Sequence, residues 1–359
     1  MTWLRLVMLL LGLGLLAWLL RASDLEQVGA ALVQLGVAGA AAVVVIYLLA
    51  FVVDTLSWQL ALPAPIGPAP IGPATIGSVG ARSALAWLYR LWQVRMVGEA
   101  LNLALPTTVG GEPVKAVLLK QHYGVGFKQS GASLIIAKTV NLLALVGFAL
   151  IGLLAMLAND LLPGSYRLAA TAGLAALAVG SIGFFAVQRW RVASRLAQAL
   201  ARWRPARRLA ALLKQLDAVE DQFHDFYVRR PRRFAAALGL AFVNWCLGAA
   251  ELWVVMILLG HPASWAEAWM LAALVELVRA GTFFIPGSLG AAELAFVLIV
   301  EGLTGQAALG LAVGLVRRAR ELLWVAWGLA LGWSFSALPA QPAAASPAAA
   351  RIEAAEGER

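Results

Sequence analysis

The stretch that decides the fold of this chain is residues 95–120, RMVGEALNLALPTTVGGEPVKAVLLK. It lies among long apolar segments, yet it carries several charged and amide side chains. Up to Pro106 the pattern predicts a helix, on which Arg95, Glu99 and Asn102 share one face because they are four and then three residues apart. The first half of the stretch is therefore predicted to be an apolar helix with one polar stripe.

The second half of the stretch contains a break in the helix. Pro106 is predicted to end the first helix, since proline lacks the N–H that continues it. Gly110 and Gly111 permit a tight reversal of the backbone. Glu112 is placed to open a second helix, which also carries Lys115. Irregular backbone at membrane depth is stable only where it lines a cavity or is buried in protein, so the pattern predicts a re-entrant hairpin.

A related pattern recurs in the second half of the chain. Glu276 and Arg279 lead into a segment with Pro286, Gly290 and Glu293. The proline-to-glycine spacing equals that of the first break, and the glutamate comes one residue later. Corresponding interruptions in two halves are typical of transporter sites built on an internal repeat. A chance match in a chain rich in glycine and alanine is the other interpretation, and the spacing leaves both open.

The composition identifies a multi-span membrane protein. The 359 residues are 62% hydrophobic and 13% charged, and the mean hydropathy is +0.81, whereas soluble domains carry about 25% charged residues. The single cysteine, Cys246, rules out an internal disulfide. The three histidines are far apart without metal-ligand spacing, so we expect no metal site and no cofactor.

The predicted fold is an all-α polytopic membrane protein with about 7–8 transmembrane helices, two re-entrant hairpins and a possible internal repeat. The predicted long helices are 3–20, 28–62, 129–158, 166–187, 234–260, 264–283 and 307–335, while 284–306 either crosses or re-enters. Residues 1–335 form the membrane domain, in which 63–77 is a Pro/Gly-rich loop, and 336–359 form a disordered tail.

A basic segment, residues 188–233, sets the expected orientation. It holds twelve basic and four acidic residues, which is most of the net charge of +9. Basic loops next to spans stay in the cytoplasm, so this segment and the N-terminus are placed there. Apolar residues at helical spacing predict an amphipathic helix that rests on anionic lipid. Nucleic acid is not expected as a partner, because the charge lies beside membrane segments.

Ionisable side chains at membrane depth are a further set of candidates, because they are costly there unless they serve a purpose. They are Lys138, Glu276, Arg279, Arg317, Arg320 and Glu321. Arg318 is predicted to point away from this face, and Glu251 and Glu301 to face water at span ends. One interpretation is internal salt bridging; the other is a chamber for a lipid headgroup, in which the excess of basic groups favours an anionic ligand.

These residues carry a resemblance to a known family. The pattern R-x-x-G-E-x-x-N-x-x-x-P-x-x-x-G-G-E-x-x-K from residue 95, the P-G-x-x-G-x-x-E from residue 286 and the late R-R-x-R-E from residue 317 resemble the flippase-like family. This family includes the transmembrane region of lysylphosphatidylglycerol synthases, and the distal half looks closest to its hopanoid-biosynthesis-associated branch. The resemblance implies a protein of the bacterial cytoplasmic membrane with re-entrant helices that moves or presents lipids.

The two breaks and the charges at membrane depth together define the predicted site. The expected substrate-binding residues are Arg95, Glu99, Asn102, Pro106, Gly110, Gly111, Glu112, Lys115, Lys138, Glu276, Arg279, Pro286, Gly290, Glu293, Arg317, Arg320 and Glu321. Two departures stand out: the loop at 63–77 looks like an insertion, and Lys138 stands where relatives often carry an acidic residue, which predicts a changed headgroup preference.

Enzymatic activity is not expected. In bifunctional relatives a soluble aminoacyl-transferase domain follows the membrane part, whereas here only the Pro/Ala-rich tail follows. No nucleophile-elbow, Walker, zinc-protease or paired-cysteine motif occurs. A membrane-embedded transferase that uses Glu112 or Glu293 as a base remains a formal alternative without a visible donor site.

The leading hypothesis is a lipid translocase or lipid-export protein that binds a polar or anionic headgroup between the two hairpins. The expected partners are phospholipid, hopanoid or polyprenyl-linked lipid, together with lipid-biosynthesis enzymes. The alternative is a non-transporting accessory or scaffold protein of membrane lipid or glycan biosynthesis. That alternative predicts that the basic surface matters more than the buried arginines.

Overall fold

The computed structural model describes residues 2–62, 79–104, 110–158, 164–192, 194–195 and 219–337. Throughout these ranges the regular structure is helical and no strand occurs. The long helices are α1 (Thr2–Ala22), α2 (Leu25–Ala61), α3 (Val79–Ala104), α4 (Gly111–Tyr123), α5 (Phe127–Ala158), α6 (Gly164–Arg189), α7 (Pro231–Leu258), α8 (Trp265–Gly281), α9 (Ala291–Thr304) and α10 (Ala307–Ala337). The predicted all-α fold is confirmed.

Within the described ranges, five segments are long and apolar enough to cross a membrane: α2, α5, α6, α7 and Pro286–Thr304. The chain is therefore a multi-pass membrane protein. Some of the sequence predictions fall outside the described residues, namely the loop at 63–77, Pro106, the middle of the basic segment and the tail beyond Ala337.

Two contacts between helices bring the halves of the chain together. α2 packs along α7, and α10 packs on both α3 and α9. The approach of α10 to α3 is close because Gly328 has no side chain, and a Cβ there would lie 2.5 Å from the Met96 carbonyl oxygen. As a result, the polar faces of α3 and α10 lie in the same region of the protein.

The first break is closed by a side-chain cap and by close packing. Asn102 on α3 accepts a hydrogen bond from the Gly111 N–H at 2.8 Å and so caps the start of α4. Gly111 lies so close to α3 that a Cβ would be 1.8 Å from the Gly98 carbonyl oxygen. Gly110 has φ −63°, which any residue adopts. Gly110 lies in the turn before α4, and Gly111 permits the close approach of α4 to α3; the rest of the predicted reversal, residues 105–109, lies outside the described residues.

The second break uses a different local structure. A single 3₁₀ turn, Pro286–Ser288, stands between α8 and α9. Gly287 and Gly290 have φ of 57° and 77°, in the left-handed region that favours glycine. The Gly290 N–H donates to the Glu293 carboxylate at 2.8 Å, so α9 is capped by its own first turn. Here the glycines provide the reversal.

The described part of the basic segment lies against protein. A π-helix, Asp225–Arg229, precedes α7. Phe223, Phe226 and Tyr227 are buried in a core with α5 and α7, and the Tyr227 hydroxyl donates to Gln188 at 2.8 Å. For these residues the expectation of an apolar face resting on lipid is wrong, because α5, α6 and α7 cover them. Residues 196–218 lie outside the described ranges.

Candidate functional site

The N-terminal charge cluster, which we define as Glu99, Asn102, Glu112, Lys115 and Lys138, joins α3, α4 and α5. The buried ammonium of Lys115 donates to Glu99 at 2.6 Å and to Glu112 at 3.0 Å. Asn102 donates to the same two carboxylates at 3.4 and 3.3 Å. The polar stripe that the spacing predicted thus faces α4, and one lysine balances two glutamates there.

Lys138 is the open member of this cluster. Its side chain is 56% exposed, whereas that of Lys115 is 4% exposed. Its Nζ lies 3.8 Å from Glu112, which is beyond hydrogen-bonding distance. Among the described residues the ammonium of Lys138 therefore has an ion-pair contact with Glu112 but no hydrogen bond.

Arg95 takes its partner from outside the predicted set. It forms an ion pair with Asp54 on α2, and its guanidinium also lies 5.5 Å from the centre of the Phe51 ring. The sequence pattern did not predict that Arg95 pairs with a residue on α2. The pair ties α3 to α2 at the edge of the N-terminal charge cluster.

The C-terminal charge chain links α8, α9 and α10 through alternating charges. Its members are Arg317, Glu276, Arg279, Glu321, Arg318 and Glu293. Arg317 donates to Glu276 at 2.6 Å and Arg279 donates to Glu321 at 2.8 Å. Glu276 and Arg279, three residues apart, lie 3.8 Å from each other, so their main partners are on α10.

Arg318 belongs to this chain, contrary to the prediction that it points away. It donates to Glu293 at 2.7 Å and to Glu321 at 2.8 Å, and it also reaches the Gly287 carbonyl oxygen at 3.3 Å. The prediction was wrong because α9 and its preceding turn cover a second face of α10. Arg318 thereby holds the second break against α10.

Glu251 is buried, which corrects the prediction that it faces water at a span end. It pairs with Arg320, and both side chains are less than 5% exposed. Arg320 also lies over the ring of Tyr47 on α2, 3.6 Å from its centre. The second oxygen of Glu251, Oε1, is buried and has no hydrogen-bond donor among the described residues.

A cavity of about 280 Å³ lies between the two groups of charges. Aromatic side chains, including Phe51, Trp58 and Trp324, form part of its wall. Its charged lining consists of six acidic residues, Asp54, Glu99, Glu112, Glu251, Glu276 and Glu321, and six basic residues, Arg95, Lys115, Lys138, Arg279, Arg317 and Arg320. The excess of basic groups expected from the sequence is absent from this lining, because Asp54 and Glu251 balance it.

The cavity brings together most of the predicted site residues. Those that line it are Arg95, Glu99, Glu112, Lys115, Lys138, Glu276, Arg279, Arg317, Arg320 and Glu321. Asn102, Gly110, Gly111, Pro286, Gly290 and Glu293 shape the two breaks around it instead. Asp54 and Glu251 were missed as site residues, although an ionisable residue inside an apolar helix is itself the signal that identifies them. Within the described ranges no cluster of residues suits a metal ion.

Comparison with known proteins agrees with the sequence pattern. The family described as lysylphosphatidylglycerol synthase TM region matches residues 5–330, which is most of the chain. Searches of curated proteins and of solved structures found no match. The chain therefore belongs to the lysylphosphatidylglycerol synthase TM region family and is a multi-pass membrane protein tied to lipid metabolism.

Proposed function

We propose that this protein is a lipid translocase or lipid-export protein that binds a lipid headgroup in the cavity between its two broken-helix segments. The observation that carries the proposal is the charged cavity itself. Six acidic and six basic side chains line one space inside a bundle of apolar helices. Charges at membrane depth are costly, so such a concentration favours a polar ligand that enters the bilayer region.

The surroundings of the cavity support movement of a ligand through it. Each half contributes one interrupted segment, and interrupted helices at a repeat interface are a common way to build a transport site. Lys138 lines the cavity and its side chain is exposed, which supports entry of a ligand from the surface at α5. When a lipid enters there, its headgroup would contact the charged side chains while its acyl chains remain among the apolar helices.

The role in the cell follows from the same proposal. We place the N-terminus and the basic segment on the cytoplasmic side of the cytoplasmic membrane, from the distribution of Lys and Arg. We also propose that the chain performs no aminoacyl transfer itself. Glu112 and Glu293 are poor candidates for a catalytic base, since Lys115 and Arg318 respectively engage their carboxylates.

The experiment is lipid crossing in proteoliposomes, with acyl-chain-labelled phospholipids and a hopanoid scored by quenching from outside. Gly248 on α7 lines the cavity, and a Cβ there meets no atom within 4 Å. Gly248→Leu should therefore obstruct the cavity without a backbone clash. Gly239→Leu on the same helix is the matched control, because Gly239 is exposed, has equal space and lies outside the cavity lining.

We expect the intact protein and Gly239→Leu to accelerate crossing of at least one lipid, and Gly248→Leu to reduce that rate at equal incorporation. Equal rates for the two variants would remove the cavity from the mechanism. Absence of acceleration by the intact protein would favour the accessory role over translocation.

A further inference from the structure

We propose that the cavity selects a zwitterionic lipid headgroup, one that combines a phosphodiester anion with a primary ammonium. The inference rests on the proposed function and names the class of ligand that the site accepts. It follows from two features: the balance of charge around the cavity, and the polar groups in its lining that lack hydrogen-bond partners among the described residues.

The balance of charge selects against ligands with a net charge. Six acidic and six basic side chains line the cavity, and most of them are engaged with each other across neighbouring helices. A headgroup with one net charge would leave an uncompensated charge in a poorly solvated site, which is costly. A zwitterionic or an uncharged headgroup leaves the net charge of the cavity unchanged.

Unsatisfied groups of both kinds favour the zwitterion over an uncharged headgroup. Four buried donors of the lining have no acceptor among the described residues, namely the Nε atoms of Arg95, Arg317 and Arg320 and the Nε1 atom of Trp324. The ammonium of Lys138 on α5 has no hydrogen-bond acceptor among the described residues. The Glu251 Oε1 atom on α7 is a buried acceptor without a donor. Donors that lack an acceptor and an anion that lacks a donor therefore line the same cavity.

A phosphodiester and a primary ammonium complement these two kinds of group. Phosphate oxygens accept charge-assisted hydrogen bonds from a lysine ammonium. A primary ammonium has three N–H donors and can supply the one that Glu251 Oε1 lacks. A trimethylammonium has the same charge but no N–H, so it meets only the electrostatic part of the requirement.

The test compares four acyl-chain-labelled lipids with identical chains in proteoliposomes that contain the intact protein. They carry phosphoethanolamine, phosphocholine, phosphoglycerol and an uncharged glycosyl headgroup. We expect phosphoethanolamine lipid to cross fastest, by about tenfold over phosphoglycerol lipid, which corresponds to one lost charge-assisted interaction. Phosphocholine lipid should be intermediate.

Substitutions of Lys138 test the proposed contact with the phosphate. Lys138→Met should reduce crossing of the phosphoethanolamine lipid about tenfold, and Lys138→Arg should retain most of it. Lys128→Met is the matched control, because Lys128 is an exposed lysine on the same helix that does not line the cavity. Equal rates for Lys138→Met and Lys128→Met would overturn the inference.

The failure of this inference is distinguishable from failure of the proposed function. If phosphoglycerol or glycosyl lipid crosses as fast as phosphoethanolamine lipid, translocation stands and the zwitterion preference is wrong. If phosphocholine lipid equals phosphoethanolamine lipid, the hydrogen bond to Glu251 is wrong and the inference is overturned. If no lipid crosses faster than in empty vesicles, both proposals fail together.

Discussion

The two groups of charges around the cavity are built in different ways. The N-terminal charge cluster uses two lysines and one amide, and one of its lysines is 56% exposed. The C-terminal charge chain uses three arginines, and each of its members is at most 19% exposed. Arginine presents a planar fork of donors that serves two partners at once, whereas lysine is a flexible point charge.

The difference indicates a division of work between the halves. In the C-terminal charge chain each arginine forms an ion pair between two helices. Arg279 and Arg317 join α8 to α10, and Arg318 joins α9 to α10. In the N-terminal charge cluster Lys138 is exposed and makes no hydrogen bond to the described residues, and under our proposal it is the group that meets the ligand. We therefore interpret the C-terminal half as the fixed wall of the cavity, meaning the side that ion pairs hold rigid. The N-terminal half is the responsive wall, meaning the side whose charged group contacts the ligand.

The largest expected effect is from Arg320→Met, which leaves Glu251 buried without its ion-pair partner. Loss of one partner of a buried pair costs about 3–5 kcal/mol. The measurement is unfolding by sodium dodecyl sulfate in mixed micelles, followed by tryptophan fluorescence.

The matched control for this prediction is the double variant Arg320→Met with Glu251→Leu. Replacement of both charges by apolar groups removes the unpaired carboxylate, so much of the lost stability should return. If Arg320→Met alone is as stable as the intact protein, the interpretation of the C-terminal half as the fixed wall is wrong.

A smaller loss is expected from Gly111→Ala, which acts on the contact between α3 and α4. The added Cβ would meet the Gly98 carbonyl oxygen at 1.8 Å and the Asn102 side chain at 2.9 Å. Forced separation of packed elements costs about 1–3 kcal/mol, and it should also weaken the cap from Asn102. The same unfolding titration measures the loss.

Gly131→Ala on α5 is the control for this change. A Cβ at Gly131 meets no atom within 4 Å, so the helix should gain about 0.5–1 kcal/mol. If Gly111→Ala is as stable as Gly131→Ala, the packing of α4 against α3 is less tight than the distance between Gly111 and Gly98 indicates.

The sequence was sufficient to predict the helices and the polar faces, because both depend on local spacing. Arg95, Glu99 and Asn102 were placed on one face by their separation along the chain, and the structure groups Glu99 and Asn102 around Lys115. The family assignment was also predicted correctly. These are properties that a single helix or a short motif carries.

The partners across the bundle could not be predicted from one sequence. Asp54 and Arg95 are 41 residues apart, and Glu251 and Arg320 are 69 residues apart. Local spacing says nothing about which helices meet, so the acidic partners were missed and the cavity was expected to be basic. Arg318 was misplaced for the same reason, because only the packing of α9 shows that a second face of α10 is covered.

The smallest expected effect on stability is from Lys138→Met. A small effect would separate a role of Lys138 in ligand binding from a role in folding. A lysine that is 56% exposed and whose contact with Glu112 is 3.8 Å long, with no hydrogen bond to the described residues, contributes little to folding, so the change should stay within about 0.5 kcal/mol. Lys128→Met gives the baseline for an exposed lysine on the same helix. A loss of about 2 kcal/mol or more would make Lys138 part of the fold and remove the contrast between the two walls. A negligible loss together with slower lipid crossing would assign Lys138 to the ligand, because folding and transport would then depend on different charges around one cavity.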